Sequence, residues 1–161
     1  MIKKTIFFLV LISLNGCTRD DICPEGTPTT PLLIITFKDN SNPLLAKPVT
    51  NLSVVTADIG SAQVIAPTTT DSIAVPLKAG ADLTAYRFTK DTGGDFPNTD
   101  ILTFSYTRED LYVNRACSFK TVYDSLEADL QNEGTANWIL DMDPLTTRIE
   151  NENEAHIVIL H

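Results

Sequence analysis

Ile101-Leu-Thr-Phe-Ser-Tyr-Thr107, then Arg108-Glu109-Asp110, then Leu111-Tyr-Val-Asn-Arg-Ala-Cys-Ser-Phe-Lys-Thr-Val122, is the stretch that decides the fold. Leu102, Phe104 and Tyr106 recur at every second position, the period of a half-buried β-strand. Two strand-like runs separated by three polar residues predict an antiparallel hairpin, with its turn at 108–110.

The same grammar extends in both directions. Leu83–Thr89 places Tyr86 and Phe88 on one face and Arg87 on the other. Before it come Leu32–Lys38, Val49–Thr56, a short segment around Val64 and Ile65, and Asp71–Leu77, where Pro76 marks a strand end or an edge. After it come Trp138–Met142, Thr146–Ile149 and Ala155–Leu160, the last two joined by the acidic turn Glu150–Glu154. Asp39–Pro43 and Asp91–Asp95 are turns rich in side chains that bond their own backbone. One short helix is expected near 124–133, because Asp124 and Glu127 have capping-box spacing and Leu126 and Leu130 are four apart. Eight to nine short antiparallel strands without crossover helices indicate an all-β, Ig-like β-sandwich and argue against a parallel α/β sheet. Trp138 is assigned to its core.

The N-terminus has a different composition. Lys3 and Lys4 precede an apolar run, Thr5–Leu14, of about ten residues, which is the size of a signal-peptide core and too short to span a bilayer. Leu14-Asn15-Gly16-Cys17 resembles a bacterial lipoprotein signal. That resemblance implies cleavage before Cys17, a diacylglycerol on its sulfur and acylation of the new amine. The chain then divides into a signal peptide (1–16), a lipidated tether (17–31) and one sandwich domain (32–161). The membrane partner is reached through the lipid on Cys17, each buried methylene contributing about 0.8 kcal/mol. Thr18-Arg19-Asp20-Asp21 resembles a surface-export signal of Bacteroidota lipoproteins. It implies an outer-membrane protein facing the cell surface, with a periplasm-facing tether as the alternative.

Charge and cysteines fit an exported protein. The formal net charge is −9; losing Lys3 and Lys4 leaves ten basic against 21 acidic residues, or −11. So acidic a surface disfavours nucleic acid and anionic headgroups. With Cys17 given to lipid, Cys23 and Cys117 form an even pair in an oxidising compartment, and a disulfide between them is expected. It closes a loop of about 95 residues, worth up to about 4–5 kcal/mol in the chain-entropy description. Two distant cysteines without histidine support do not suggest a metal site.

Cys17-x-x-Asp20-Asp21-Ile22-Cys23, Pro31-Leu32-Leu33-Ile34-Ile35-x-Phe37, Asp71-Ser72-Ile73-x-x-Pro76-Leu77 and Arg115-Ala116-Cys117-x-Phe119 together resemble a family of small Bacteroidota lipoproteins with a domain of unknown function. The resemblance implies an extracytoplasmic location and supports pairing Cys23 with Cys117. It implies no activity and transfers no catalytic residue.

Signals for chemistry are sparse. Asp91-Thr92-Gly93 matches the aspartic-protease tripeptide, but that mechanism needs two such aspartates under apolar strands, and this copy lies in a polar turn. Asp39–Asn42 and Asp141-Met142-Asp143 offer oxygens to calcium without the spacing of an EF-hand. His156 starts the last strand, and His161, at the end of the sequence, is expected to fray. No zinc, phosphate-loop, dinucleotide or nucleophile-elbow motif is present. No catalytic residue, cofactor or metal ligand is assigned. The expectation is a non-enzymatic binding or assembly module for an envelope protein or glycan. The alternative is a small envelope hydrolase with paired carboxylates, which require no local motif.

Overall fold

The computed structural model describes residues 22–161. The expected signal peptide, Cys17 and the Arg19–Asp21 stretch lie outside the described residues.

Ten strands form two five-stranded sheets. The first contains β1 (Leu33–Asp39), β2 (Asn42–Ala46), β5 (Ser72–Val75), β9 (Asp141–Pro144) and β10 (Ile157–Leu160). Here β10 lies parallel to β1, with Ile35 opposite Ile157, while β2 and β5 pair antiparallel with β1 and so share its other edge. β9 pairs antiparallel with β10. The second sheet is antiparallel throughout, in the order β4 (Gln63–Thr70), β3 (Val49–Thr56), β6 (Leu83–Lys90), β7 (Asn98–Asn114), β8 (Ser118–Leu130). The chain passes between sheets at Asp71, whose carbonyl accepts from the Phe37 N–H (2.8 Å).

The alternating residues fill the space between the sheets. Leu33, Ile35 and Phe37 from β1 and Ile157 and Ile159 from β10 face Tyr86 and Phe88 from β6 and Leu102, Phe104 and Tyr106 from β7. Each large side chain buried this way contributes about 1.5–3 kcal/mol. Trp138 is buried, as assigned, and its Nε1–H donates to the Phe88 carbonyl (3.1 Å). Pro67 is tolerated because β4 is an edge strand.

The sandwich agrees with expectation, but several elements do not. The pairing is not wholly antiparallel, since the first and last strands run side by side in one direction. The hairpin turn is at Arg115–Cys117, not 108–110: β7 continues through Arg108, Glu109 and Asp110. These polar residues stay in the strand because each has a partner. Arg108 pairs with Asp82 (2.7 Å), Glu109 with Arg148 (3.1 Å), and Asp110 accepts from the Thr121 hydroxyl (2.7 Å). The turn is made by Asn114, whose Oδ1 accepts from the N–H groups of Ala116 and Cys117, and by Ser118 at φ 63°.

The helix near 124–133 is replaced by the second half of β8. A spacing of four is a multiple of two, so Leu126 and Leu130 share a face in a strand as well as in a helix. Pairing of Leu130 with Leu102 and of Ala128 with Phe104 settles the choice. The Asp124 carboxylate accepts from the adjacent Ser125 N–H at a bulge, where Ser125 has φ 54°. Helical backbone among the described residues is confined to the short 3-10 turn Gly134–Ala136. Thr146–Ile149 contributes one bridge, Ile149 to Tyr123, rather than a strand. His161 is not frayed. Its N–H donates to the Lys38 carbonyl (3.1 Å), and its own carbonyl accepts from the Lys47 ammonium (2.7 Å).

One polar cluster ties the sheets together. After β5, the carbonyls of Pro76, Leu77 and Lys78 accept from the hydroxyls of Tyr86, Tyr123 (3.0 Å) and Tyr106 (3.0 Å), respectively. The Lys78 N–H donates to the Thr84 hydroxyl (2.9 Å), which donates to Tyr106 (2.6 Å), closing a ring. Burial pushes the Tyr86 and Tyr123 phenols up to about 12 and raises Tyr106.

Unfolded tyrosines ionise near 10, so the unfolded chain loses protons first. Stability is therefore complete below pH 10 and falls as pH rises from 10 towards 12. In urea melts, Tyr123→Phe is expected to cost about 1 kcal/mol at pH 7 and to weaken this alkaline loss; an unchanged alkaline slope would remove Tyr123 from the account.

Candidate functional site

The sandwich has two chemically distinct ends. At one end, the outer halves of β7 and β8 project past the core, with Thr107–Asp110 exposed on both faces. The tip is fastened to the N-terminal segment by a Cys23–Cys117 disulfide, Cα–Cα 4.9 Å, as expected from the cysteine count. That segment is held again by the Thr121 N–H on the Thr30 hydroxyl (3.0 Å) and by the Leu32 N–H on Glu152 (2.9 Å). Residues 23–31 are thus a strap on the hairpin rather than a free leash. Tyr112 and Phe119 are cross-strand partners at the tip, with ring centroids 5.4 Å apart, and are 63% and 60% exposed.

Beside the hairpin, Arg148 binds Glu109 (3.1 Å), Asp124 (3.0 Å) and Glu150 (3.1 Å). These three carboxylates raise its pKa further, while the Ser125 N–H, and after it the Arg148 guanidinium, hold Asp124 below the ordinary carboxylate value. Arg148, Glu150, Glu154 and His156 border an open cleft of about 480 Å3. Glu150 is spent on Arg148, and Glu154 lies on an exposed loop. A glycosidase acid needs a carboxyl shielded from solvent; both of these residues are exposed.

His156 is buried and fully engaged. Its Nδ1 accepts from the Ile34 N–H (2.9 Å), so Nε2 carries the proton and donates to the Asn151 carbonyl (3.0 Å). Burial lowers its pKa. The ring pins the loop before β10 onto β1 and has no nitrogen left for substrate.

At the opposite end, Phe37, Trp138 and His161 form an aromatic cluster, with Trp138 and His161 centroids 5.6 Å apart. Leu44 in β2 and Phe96 in the β6–β7 loop are exposed. A shallow hollow of about 530 Å3 opens near Asn132, Thr135, Asn137 and Leu140. Asp100 is buried here; one oxygen accepts from the Ile139 N–H (2.8 Å), while the other has no partner. The Asp91-Thr92-Gly93 tripeptide forms the β6–β7 surface turn, with Asp91 at φ 54° and Gly93 at φ 79°. The carboxylate of Asp39 accepts from Ser41 and Asn42 and pairs with Lys47 (3.1 Å). Asp141 accepts from Met142. Among the described residues, no three His, Cys, Asp or Glu side chains converge as metal ligands.

A family model described as "Family of unknown function (DUF6452)" matches residues 51–161, more than half of the chain. The chain belongs to that family. The DUF6452 match runs from within β3 to the end of β10 and takes in Cys117, the Tyr86–Tyr106–Tyr123 cluster and Trp138. Cys23 and β1 precede it, so the strap and its disulfide join a segment outside the match to one inside. No curated protein and no solved structure matches the chain.

The cysteine count foretold the disulfide, but not that it seizes a hairpin tip. The aromatic pair had a signal, Tyr112 and Phe119 seven residues apart around Arg115-Ala116-Cys117, which placing the turn at 108–110 obscured. Replacing both Cys23 and Cys117 with Ser is expected to lower stability by about 2–5 kcal/mol, with hydrogen exchange accelerating first in residues 107–124. His156→Ala should cost about 1–3 kcal/mol, because the Ile34 N–H loses its acceptor. The parent protein should lose stability as pH falls below the unfolded value of 6.5 towards the lower folded pKa. A flatter acid limb in His156→Ala melts would check the assignment.

Proposed function

We propose that the chain is a non-enzymatic, lipid-anchored lipoprotein of the outer membrane, acylated on Cys17, that presents its sandwich as a binding or assembly module to an envelope protein or glycan. The observation that carries the reading is the Cys23–Cys117 disulfide. Structural disulfides belong to oxidising compartments, which suits an exported chain whose Leu14-Asn15-Gly16-Cys17 resembles a lipoprotein signal. The resemblance to Bacteroidota lipoproteins at Cys17–Cys23 and Arg115–Phe119 supports the same address, and Arg19-Asp20-Asp21 supports a surface-facing orientation. A binding role is supported by the exposed loops at the sandwich ends, which rigid sheets hold in place. The paired-carboxylate hydrolase finds no comparable support, since the cleft acids are exposed or committed to Arg148.

In cells fed an alkyne-bearing fatty acid, the wild-type protein is expected to take up label and Cys17→Ser to lose it. Unlabelled wild-type protein retaining Met1 would end the proposal. Protease added to intact cells should remove the domain if it faces outward and spare it if it faces the periplasm.

A further inference from the structure

We propose that the tip of the β7–β8 hairpin is a membrane-seating site: Tyr112 and Phe119 lie in the headgroup region of the bilayer that holds the Cys17 lipid, so that the Phe96 end points away from the membrane.

The argument begins with chain length. Six Cα steps separate Cys17 from Cys23, a span of at most about 21 Å in any conformation. The disulfide then sets Cys117 a further 4.9 Å away. The lipid therefore holds the hairpin tip close to the bilayer. β7 runs 17 residues from Asn98 to Asn114, which puts the Phe96 loop about 50 Å along the molecule from the tip.

The chemistry of the tip suits that position. Two aromatic rings packed edge to face are more than half exposed, whereas among the described aromatic residues outside the tip only Phe96 is exposed to that degree. Exposed Ile22, next to Cys23, extends the apolar surface. Tyrosine and its aromatic neighbours favour the membrane–water interface, where an apolar ring and a polar rim are both solvated. Residues 111–120 contain Arg115 and Lys120 and no acid, in a chain of net charge −9. The acidic bulk repels anionic lipid, while this segment can approach phosphate groups. Glu25, with Asp20 and Asp21 in the sequence, limits the attraction, so the seat depends on the aromatic rings more than on charge.

The site rests on acylation of Cys17, and the test separates the two. Tyr112→Trp adds one reporter at the tip; Trp138, buried at the other end, is the internal control. Acylated full-length protein is placed in vesicles of phosphatidylethanolamine and phosphatidylglycerol, with brominated phospholipid as quencher. The expected result is blue-shifted added emission, most of it lost to lipid brominated near the headgroup, with Trp138 of the parent protein little affected. If mass spectrometry finds no acyl chain, a thiol-reactive lipid is coupled to Cys17 and the same reading taken, so the hairpin is tested even if natural acylation fails. Water-like, unquenched emission from the tip of the anchored protein overturns the proposal. So does a blue shift without quenching that grows with protein density, which would assign the aromatic pair to a second copy.

Discussion

Three tyrosine hydroxyls on three consecutive carbonyls, Pro76, Leu77 and Lys78, are the interaction on which the rest of the molecule depends. The chain leaves the first sheet here and must cross to the second, and at these three residues, of which Leu77 is buried, its backbone has no strand partners. Buried carbonyls left unpaired cost free energy comparable to a lost hydrogen bond. Tyr86, Tyr106 and Tyr123 come from three adjacent strands of the second sheet, and each brings both an aromatic ring for the core and a hydroxyl for the crossing. The cluster therefore sets the registry of one sheet against the other, which apolar packing alone does not fix.

That registry has consequences at the projecting hairpin. With Tyr123 and Tyr106 anchored, the residues beyond them overhang the core, and apart from the buried Val122 and Thr121 the overhang is held by ion pairs and a covalent strap. Arg148 gathers Glu109, Asp124 and Glu150, and Asp110 takes the Thr121 hydroxyl. Exposed ion pairs of this kind contribute little individually. The disulfide, which restricts the unfolded chain over 94 residues of sequence separation, is the stronger restraint. The strap gives the domain a polarity, one end tied to the N-terminus and the other free to present Phe96, Leu44 and the 131–140 connection.

Much of the architecture was legible in the sequence. Alternation in Leu83–Thr89 and Ile101–Thr107 named the inward residues, and Trp138 and the cysteine pair were placed correctly. The failures share a cause. Arg108-Glu109-Asp110 looked like a turn because polarity marks either a turn or a strand with no core beside it. Leu126 and Leu130 looked helical because their spacing fits both periods. His161 looked free because its partners, Lys38 and Lys47, are more than 100 positions away. In each case the deciding contact was distant in sequence, where local pattern carries no information.

The sequence by itself determined the class of fold and the alternating residues of its core, and it pointed to Cys23 with Cys117 once Cys17 was set aside as the expected acylation site, since period-two burial and a cysteine count are local or compositional facts. Only the tertiary structure decided that the first and last strands run parallel, that His156 is consumed in holding β1, and that the disulfide closes on the tip of an overhanging hairpin beside two exposed aromatic rings. Those outcomes depend on which distant segments become neighbours, and that is set by satisfying buried polar groups and filling one shared interior, not by any stretch of chain taken alone.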